Sequence, residues 1–128
     1  MKNFLIDTHI LIWFLTDHSN LSPNSKKLIE ESESCFVSVA SIWEIGLKVS
    51  LGKLELKLSL PQMLELIHQS GFSILPINQF HALKNSELAF FHRDPFDRIL
   101  IAQALVENLE IITADSEFLN YPLKTIIN

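Results

Sequence analysis

Three short apolar runs, Phe4-Leu5-Ile6, Cys35-Phe36-Val37-Ser38-Val39 and Ile111-Ile112, constrain the fold of this chain more than any other feature. A strand covered on one face alternates apolar with polar residues, whereas a run apolar at consecutive positions is buried on both faces, as in a parallel sheet. Helical patterns separate the runs. The order reads strand, helix, helix, strand, helix, helix, strand, helix, helix, strand, short helix, strand. That alternation predicts an α/β fold, a three-layer α/β/α sandwich around a central, mainly parallel sheet.

Local signals place the elements. The first strand stops at Asp7, and Thr8 is the expected cap of a helix carrying Ile10, Leu11, Trp13 and Phe14. Ser22-Pro23 opens a second helix to about Glu33. Ser41-Ile42-Trp43-Glu44 matches a capping box, which puts Glu44 in the first turn of a helix stopped by Gly52. Lys53 to Leu58 alternates polar and apolar and reads as a short extended segment, and Pro61 to about Ser70 is a helix ended by Gly71. Phe72 to Ile77 predicts a third strand, confined by Pro76 to an edge or an end. A helix from about Gln79 to Leu88 precedes a loop at Ala89 to Arg93, and Asp94-Pro95-Phe96-Asp97 starts the next helix. Glu110 to Thr113 and Leu123 to Ile127 supply the last strands.

With 128 residues, 48% of them hydrophobic, the chain is expected to form one domain over 1–128 rather than a disordered segment or two cores. The single Cys35 excludes an internal disulfide and a thiolate cluster, so a reducing, cytoplasmic setting is expected and any metal needs oxygen or imidazole ligands. Asp7 and His9 interrupt the apolar opening, which argues against a signal peptide, and no run of about 18 apolar residues predicts a membrane span. A net charge of −5 argues against strong non-specific attraction to nucleic acid.

Four acids occupy equivalent places: Asp7 and Asp115 just past strand ends, Glu44 and Asp97 near helix starts. They lie 37, 53 and 18 positions apart in the order Asp7, Glu44, Asp97, Asp115, so they form no local charge run. In an open parallel sheet ligands gather outside the carboxyl ends of the strands, where all four acids could meet. Clustered carboxylates raise one another's pKa and call for a cation. All-oxygen ligands suit Mg²⁺ or Mn²⁺, and such ions commonly work on phosphate, which points to metal-assisted phosphodiester hydrolysis. Each acid also has a structural reading. Asp115 could cap a helix before Ser116-Glu117-Phe118, Glu44 could only complete a capping box, and Asp94 reads as a cap more than a ligand. Asp7, directly after an apolar strand, is the hardest to explain structurally.

The segments Leu5-Ile6-Asp7-Thr8, Ser41-Ile42-Trp43-Glu44-Ile45, Asp94-Pro95-Phe96-Asp97-Arg98 through Ala104, and Ile112-Thr113-Ala114-Asp115 resemble, in order and spacing, the PIN domain. More narrowly the chain resembles VapC-type toxins of type II toxin-antitoxin pairs over essentially its whole length. The resemblance implies a Mg²⁺- or Mn²⁺-dependent endoribonuclease, a homodimer, and inhibition by a cognate antitoxin. It implies Asp7, Glu44, Asp97 and Asp115 as catalytic, metal-binding acids, with Thr8 and Thr113 as hydroxyl partners. It selects Asp97 over Asp94, and Arg98 is read as a contact to phosphate or to Asp94. Lys48, Lys53 and Arg93 lie near the proposed edge in sequence, and the choice of RNA then rests on shape and unpaired loops.

Other motifs fail on inspection. Gly46 to Lys53 has five residues between its glycines and Leu54 where a phosphate-binding loop needs Ser or Thr. His9, His18, His68, His81 and His92 show no i,i+4 ligand pair and read as surface or core residues, and nothing completes a dimetal phosphatase site begun by Asp7 and His9. Trp13, Phe14, Phe90 and Phe91 read as core or dimer interface rather than base-stacking platforms. Two rival functions remain: a non-catalytic PIN-like interaction domain, and an aspartyl-phosphate phosphoryl-transfer domain with Asp7 as nucleophile. The second lacks an acid two positions after Asp7 and a suitably placed Lys.

Overall fold

In the computed structural model, which describes residues 2–128, the chain forms β1 (Asn3–Ile6), α1 (Thr8–Leu15), α2 (Pro23–Glu31), β2 (Ser34–Ser38), α3 (Val39–Ser50), α4 (Leu60–Gln69), β3 (Ser73–Leu75), α5 (Gln79–Glu87), α6 (Pro95–Glu107), β4 (Glu110–Thr113), a 3₁₀ turn (Ser116–Asn120) and β5 (Thr125–Ile127). The order of elements is the expected one. The five strands pair in the order β3-β2-β1-β4-β5, and all four pairings are parallel.

Consecutive side chains of a strand point to opposite faces, so an apolar strand feeds two cores. Phe4, Ile6, Cys35, Val37 and Ile112 face one core with Ile10 and Leu11 of α1, Ile29 of α2, and Met63 and Ile67 of α4. Leu5 and Ile111 face the other, filled by Leu100, Ile101, Ala102 and Ala104 of α6. This is why the central strand reads as Phe-Leu-Ile without a polar interruption. β3, which ends just before Pro76, is an edge strand.

Two helix starts depart from the expected caps, while Ser22, Asp94 and Asp115 cap as expected. Asp7, not Thr8, caps α1, accepting from the Ile10 N–H at 2.9 Å. Ser38 caps α3, accepting from the Ala40 N–H. The strand therefore passes directly into the helix three residues earlier than the Ser41 motif suggests, and Glu44 lies in the second turn, not the first. Gly52 and Gly71 end α3 and α4 with φ of 71° and 85°, the left-handed conformation that stops a helix. Lys53 to Leu58 runs outside the sheet; its alternation is real in burial, with Leu54, Leu56 and Leu58 packed on the α1–α4 core.

Candidate functional site

Strand register builds the centre of the site. Ile6 pairs with Ile112, and the Asp7 N–H still donates to the Ile112 carbonyl at 3.1 Å. The residues that follow, Asp7 and Thr113, are thereby neighbours, and the Thr113 hydroxyl donates to Asp7 Oδ2. The chain proceeds from β1 to β2 and β3 on one side of the sheet, then returns to β4 and β5 on the other. The reversal lies between β1 and β4, the position where doubly wound sheets open a crevice.

Asp7, Asp97 and Asp115 line a cavity of about 330 Å³ there, with His9, Trp13 and Ala114 completing its wall. Asp97 enters from the first turn of α6, whose cap is Asp94: Asp94 Oδ1 accepts from the Phe96 and Asp97 N–H groups at 2.9 and 3.1 Å. Asp94 is thus occupied as a cap, and Asp97 presents its carboxylate to the cavity. Asp115 takes the capping role considered for it and also faces the cavity. One oxygen accepts from the Glu117 N–H at 2.9 Å to cap the 3₁₀ turn, while the residue lines the cavity.

Glu44 lies beside the three aspartates, not among them. It lines an adjoining recess of about 200 Å³ with Thr8, Lys48 and Lys53, and His9 and Trp13 wall both spaces. Thr8 Oγ1 donates to Glu44 Oε1 at 2.7 Å and lies 3.0 Å from Ser41 Oγ. Lys48, one turn on, donates to Glu44 Oε2, and that hydrogen bond raises the pKa of Lys48. Thr8 and Thr113 each hold one acid, and a carboxylate so held keeps lone pairs for another partner.

The aspartates are costly as anions. Burial raises the pKa of Asp7, against hydrogen bonds from Thr113 and Ile10. Burial, followed by the charges of Asp94 and Asp7, pushes Asp97 up to about 7, with Glu44 adding to the rise and His92 opposing it. An acid whose pKa is higher folded than unfolded costs nothing below the unfolded value near 4 and its full penalty above the folded value. Asp97→Asn is therefore expected to melt with the native protein near pH 4 in chelator but above it near pH 8. The gain is about 1–3 kcal/mol, and melting scans at both pH values check it.

Two residues near the acids, His92 and Glu117, carry no site role in the sequence reading. His92 is buried, its Nε2 2.8 Å from Asp115 Oδ2 and 3.1 Å from Asp97 Oδ2. Glu117 approaches the same nitrogen at 3.7 Å. His92 has no histidine at i,i+4 spacing, and its partners are 5 and 23 residues away; its one local signal is its place two residues before the Asp94 cap. Arg98 corrects the expected role. It is buried, and its side chain reaches neither the Asp94 carboxylate nor the cavity: its guanidinium donates to the backbone carbonyls of Asn85, Leu88, Ala89 and His92 at 3.0–3.2 Å. Phe90 lies over it at 4.2 Å.

The donor set suits a hard divalent cation. It consists of oxygen, is largely buried, and includes Asp97, whose pKa burial and the neighbouring carboxylates push up to about 7, so that a cation would relieve it. Of the four aromatics, Phe14 packs edge-on against Phe72 and Trp13 is half-buried, while Phe90 and Phe91 are exposed.

Comparison with known proteins agrees with this architecture. The fold is similar to that of VapBC2 from Rickettsia felis bound to a promoter DNA fragment, with a TM-score of 0.74 and 18% identity over 98% of both chains. FitAcB from Neisseria gonorrhoeae gives 0.70 and 19% identity over 98% of this chain and 96% of that one. A toxin-antitoxin complex from Klebsiella pneumoniae gives 0.66 and 21% identity over 95% and 94%. No curated protein sequence matches significantly. The PIN domain family model matches residues 4–124, nearly the whole chain, and the protein belongs to the PIN domain family.

Proposed function

We propose that this protein is the toxin of a type II toxin-antitoxin pair, a Mg²⁺- or Mn²⁺-dependent endoribonuclease that cleaves RNA by hydrolysis. The observation that carries the reading is the crevice between β1 and β4 lined by Asp7, Asp97 and Asp115, with Glu44 in the recess beside it. Family membership supports nuclease chemistry, and the VapC resemblance supports RNA as substrate and a cognate antitoxin as partner.

Asp7, Asp97 and Asp115 would hold the ion, with Glu44 at its edge. When bound, the ion supplies a more acidic water and charge neutralisation at phosphate. The chain's own residues do the rest. Thr113 orients Asp7, Thr8 and Lys48 orient Glu44, and Lys48 and Lys53 line the recess with positive charge where an RNA phosphate would approach. Water attacks phosphorus, the phosphodiester P–O bond breaks, and no covalent enzyme intermediate forms.

Purified protein should cleave a pool of structured RNAs with Mg²⁺ or Mn²⁺ and not with EDTA. The ion should also stabilise the fold by about 2.7 kcal/mol at roughly 100 times its Kd. Cleavage undiminished by EDTA, or neither cleavage nor a melting shift, refutes the metal-nuclease reading. A shift without cleavage overturns the choice of RNA substrate and keeps the metal site.

No helix among the described residues is long and apolar enough to cross a membrane, and we place the protein in the cytoplasm. We assign self-association to α3, where Val39, Trp43 and Leu47 recur at i,i+4 spacing and stay exposed, Trp43 to 61%. Light scattering should give the mass of a dimer, and Trp43→Glu that of a monomer; an unchanged mass sends the dimer contact elsewhere.

A further inference from the structure

His92 has each of its polar groups matched to a single partner or cluster. Its N–H donates to Tyr121 Oη at 2.8 Å, and Tyr121 in turn donates to the Ala89 carbonyl at 2.7 Å. Its carbonyl accepts from Arg98 at 3.0 Å. Its ring Nδ1 accepts from the Asp94 N–H at 3.2 Å, and Phe118 packs edge-on against the ring at 5.7 Å. Nε2 is left facing Asp115 and Asp97.

The Asp94 N–H decides what Nε2 is. A backbone N–H can only donate, so Nδ1 must be bare, and the ring's proton then sits on Nε2. Nε2, Asp115 and Glu117 lie close enough together to pass for a three-ligand metal site, their ligand atoms within 4.8 Å of one another. A nitrogen carrying hydrogen cannot ligate, and moving the proton to Nδ1 would set two donors against each other at Asp94.

We infer that His92 is a positioning residue: its Nε2–H, aimed by the Asp94 N–H, donates to Asp115 and fixes that carboxylate in the orientation that receives the divalent ion, with Asp97 3.1 Å from the same nitrogen. This rests on the metal-nuclease reading above. A donor held on a ligating carboxylate commonly matters by about 10–100-fold in metal affinity or activity.

The variants His92→Phe and His92→Gln test it on the full chain. Phe keeps a ring against Phe118 without the donor, and Gln restores an N–H at the end of its side chain. Mn²⁺ affinity, read by calorimetry, should fall about 10–100-fold in His92→Phe and return within about threefold of native in His92→Gln, both variants melting cooperatively. Nitrogen NMR of the native ring should show the proton on Nε2 without metal and still there when Mg²⁺ is added. Loss of that proton on adding Mg²⁺ makes His92 a ligand and overturns the inference. So does native Mn²⁺ affinity in a folded His92→Phe, or failure of Gln to restore it. Failure of the native protein to bind Mn²⁺ at all refutes the metal reading, and the inference with it.

Discussion

Asp7→Asn is expected to lower RNA cleavage by at least about 10³-fold, a barrier increase of about 4 kcal/mol, while the melting temperature stays level or rises. The amide is nearly the size of the carboxylate and keeps an oxygen for the Ile10 N–H, so the cap of α1 survives. Thr113 Oγ1 can accept from the new amide instead of donating to Oδ2. What disappears is a negative charge beside Asp97 and Asp115, which the metal-free fold is better without. Parallel cleavage and melting measurements separate the effects. Cleavage within tenfold of native would remove Asp7 from the proposed metal site, and loss of cooperative melting would show that its role is structural.

The second large effect concerns stability. Arg98→Ala should cost about 2–4 kcal/mol, because a buried guanidinium reaches four carbonyls of residues 85–92 and no single water replaces its span. Arg98→Lys should recover little of this, since an ammonium is a point donor without the planar fork. Both are read as shifts in the midpoint of denaturant unfolding. Native stability in Arg98→Lys would show that charge, not the fork, holds the segment. Cleavage should fall in both variants, since the 85–92 segment delivers His92 to Asp115 and Asp97.

Much of this was open to a reader of the residues alone. Consecutive apolar positions at Phe4 to Ile6 can be buried only between two layers, and Pro76 can stand only at a sheet's margin, so the order and kind of the elements follow from local rules. Asp94 and Asp97 separate in sequence into cap and cavity acid because Pro95 marks the first helical position. The errors have a common source. Thr8 and Ser41 are good caps by type, yet both hydroxyls turn to Glu44's end of α3, because Asp7 and Ser38 already serve the helix starts. Competition between neighbouring caps is settled by packing, which no window of sequence contains. The role of Arg98 was misread, and the contacts of His92 missed, for a similar reason: their partners belong to the 85–97 segment and to Asp115, brought together only by tertiary structure.

The pairing of Ile6 with Ile112 also sets a time. Asp7 leaves the ribosome among the first residues of this sequence, while the strand carrying Thr113 follows 106 positions later. Contacts so distant along the chain close late, because the loop between them must be ordered first. A nascent chain that has not yet delivered Glu110 to Asp115 has a central strand with one flank bare, and Asp7 has the Ile10 N–H but not the Thr113 hydroxyl. Under the proposed function, products that stop short of β4 would lack Thr113 and Asp115 and with them the crevice, and would not cut.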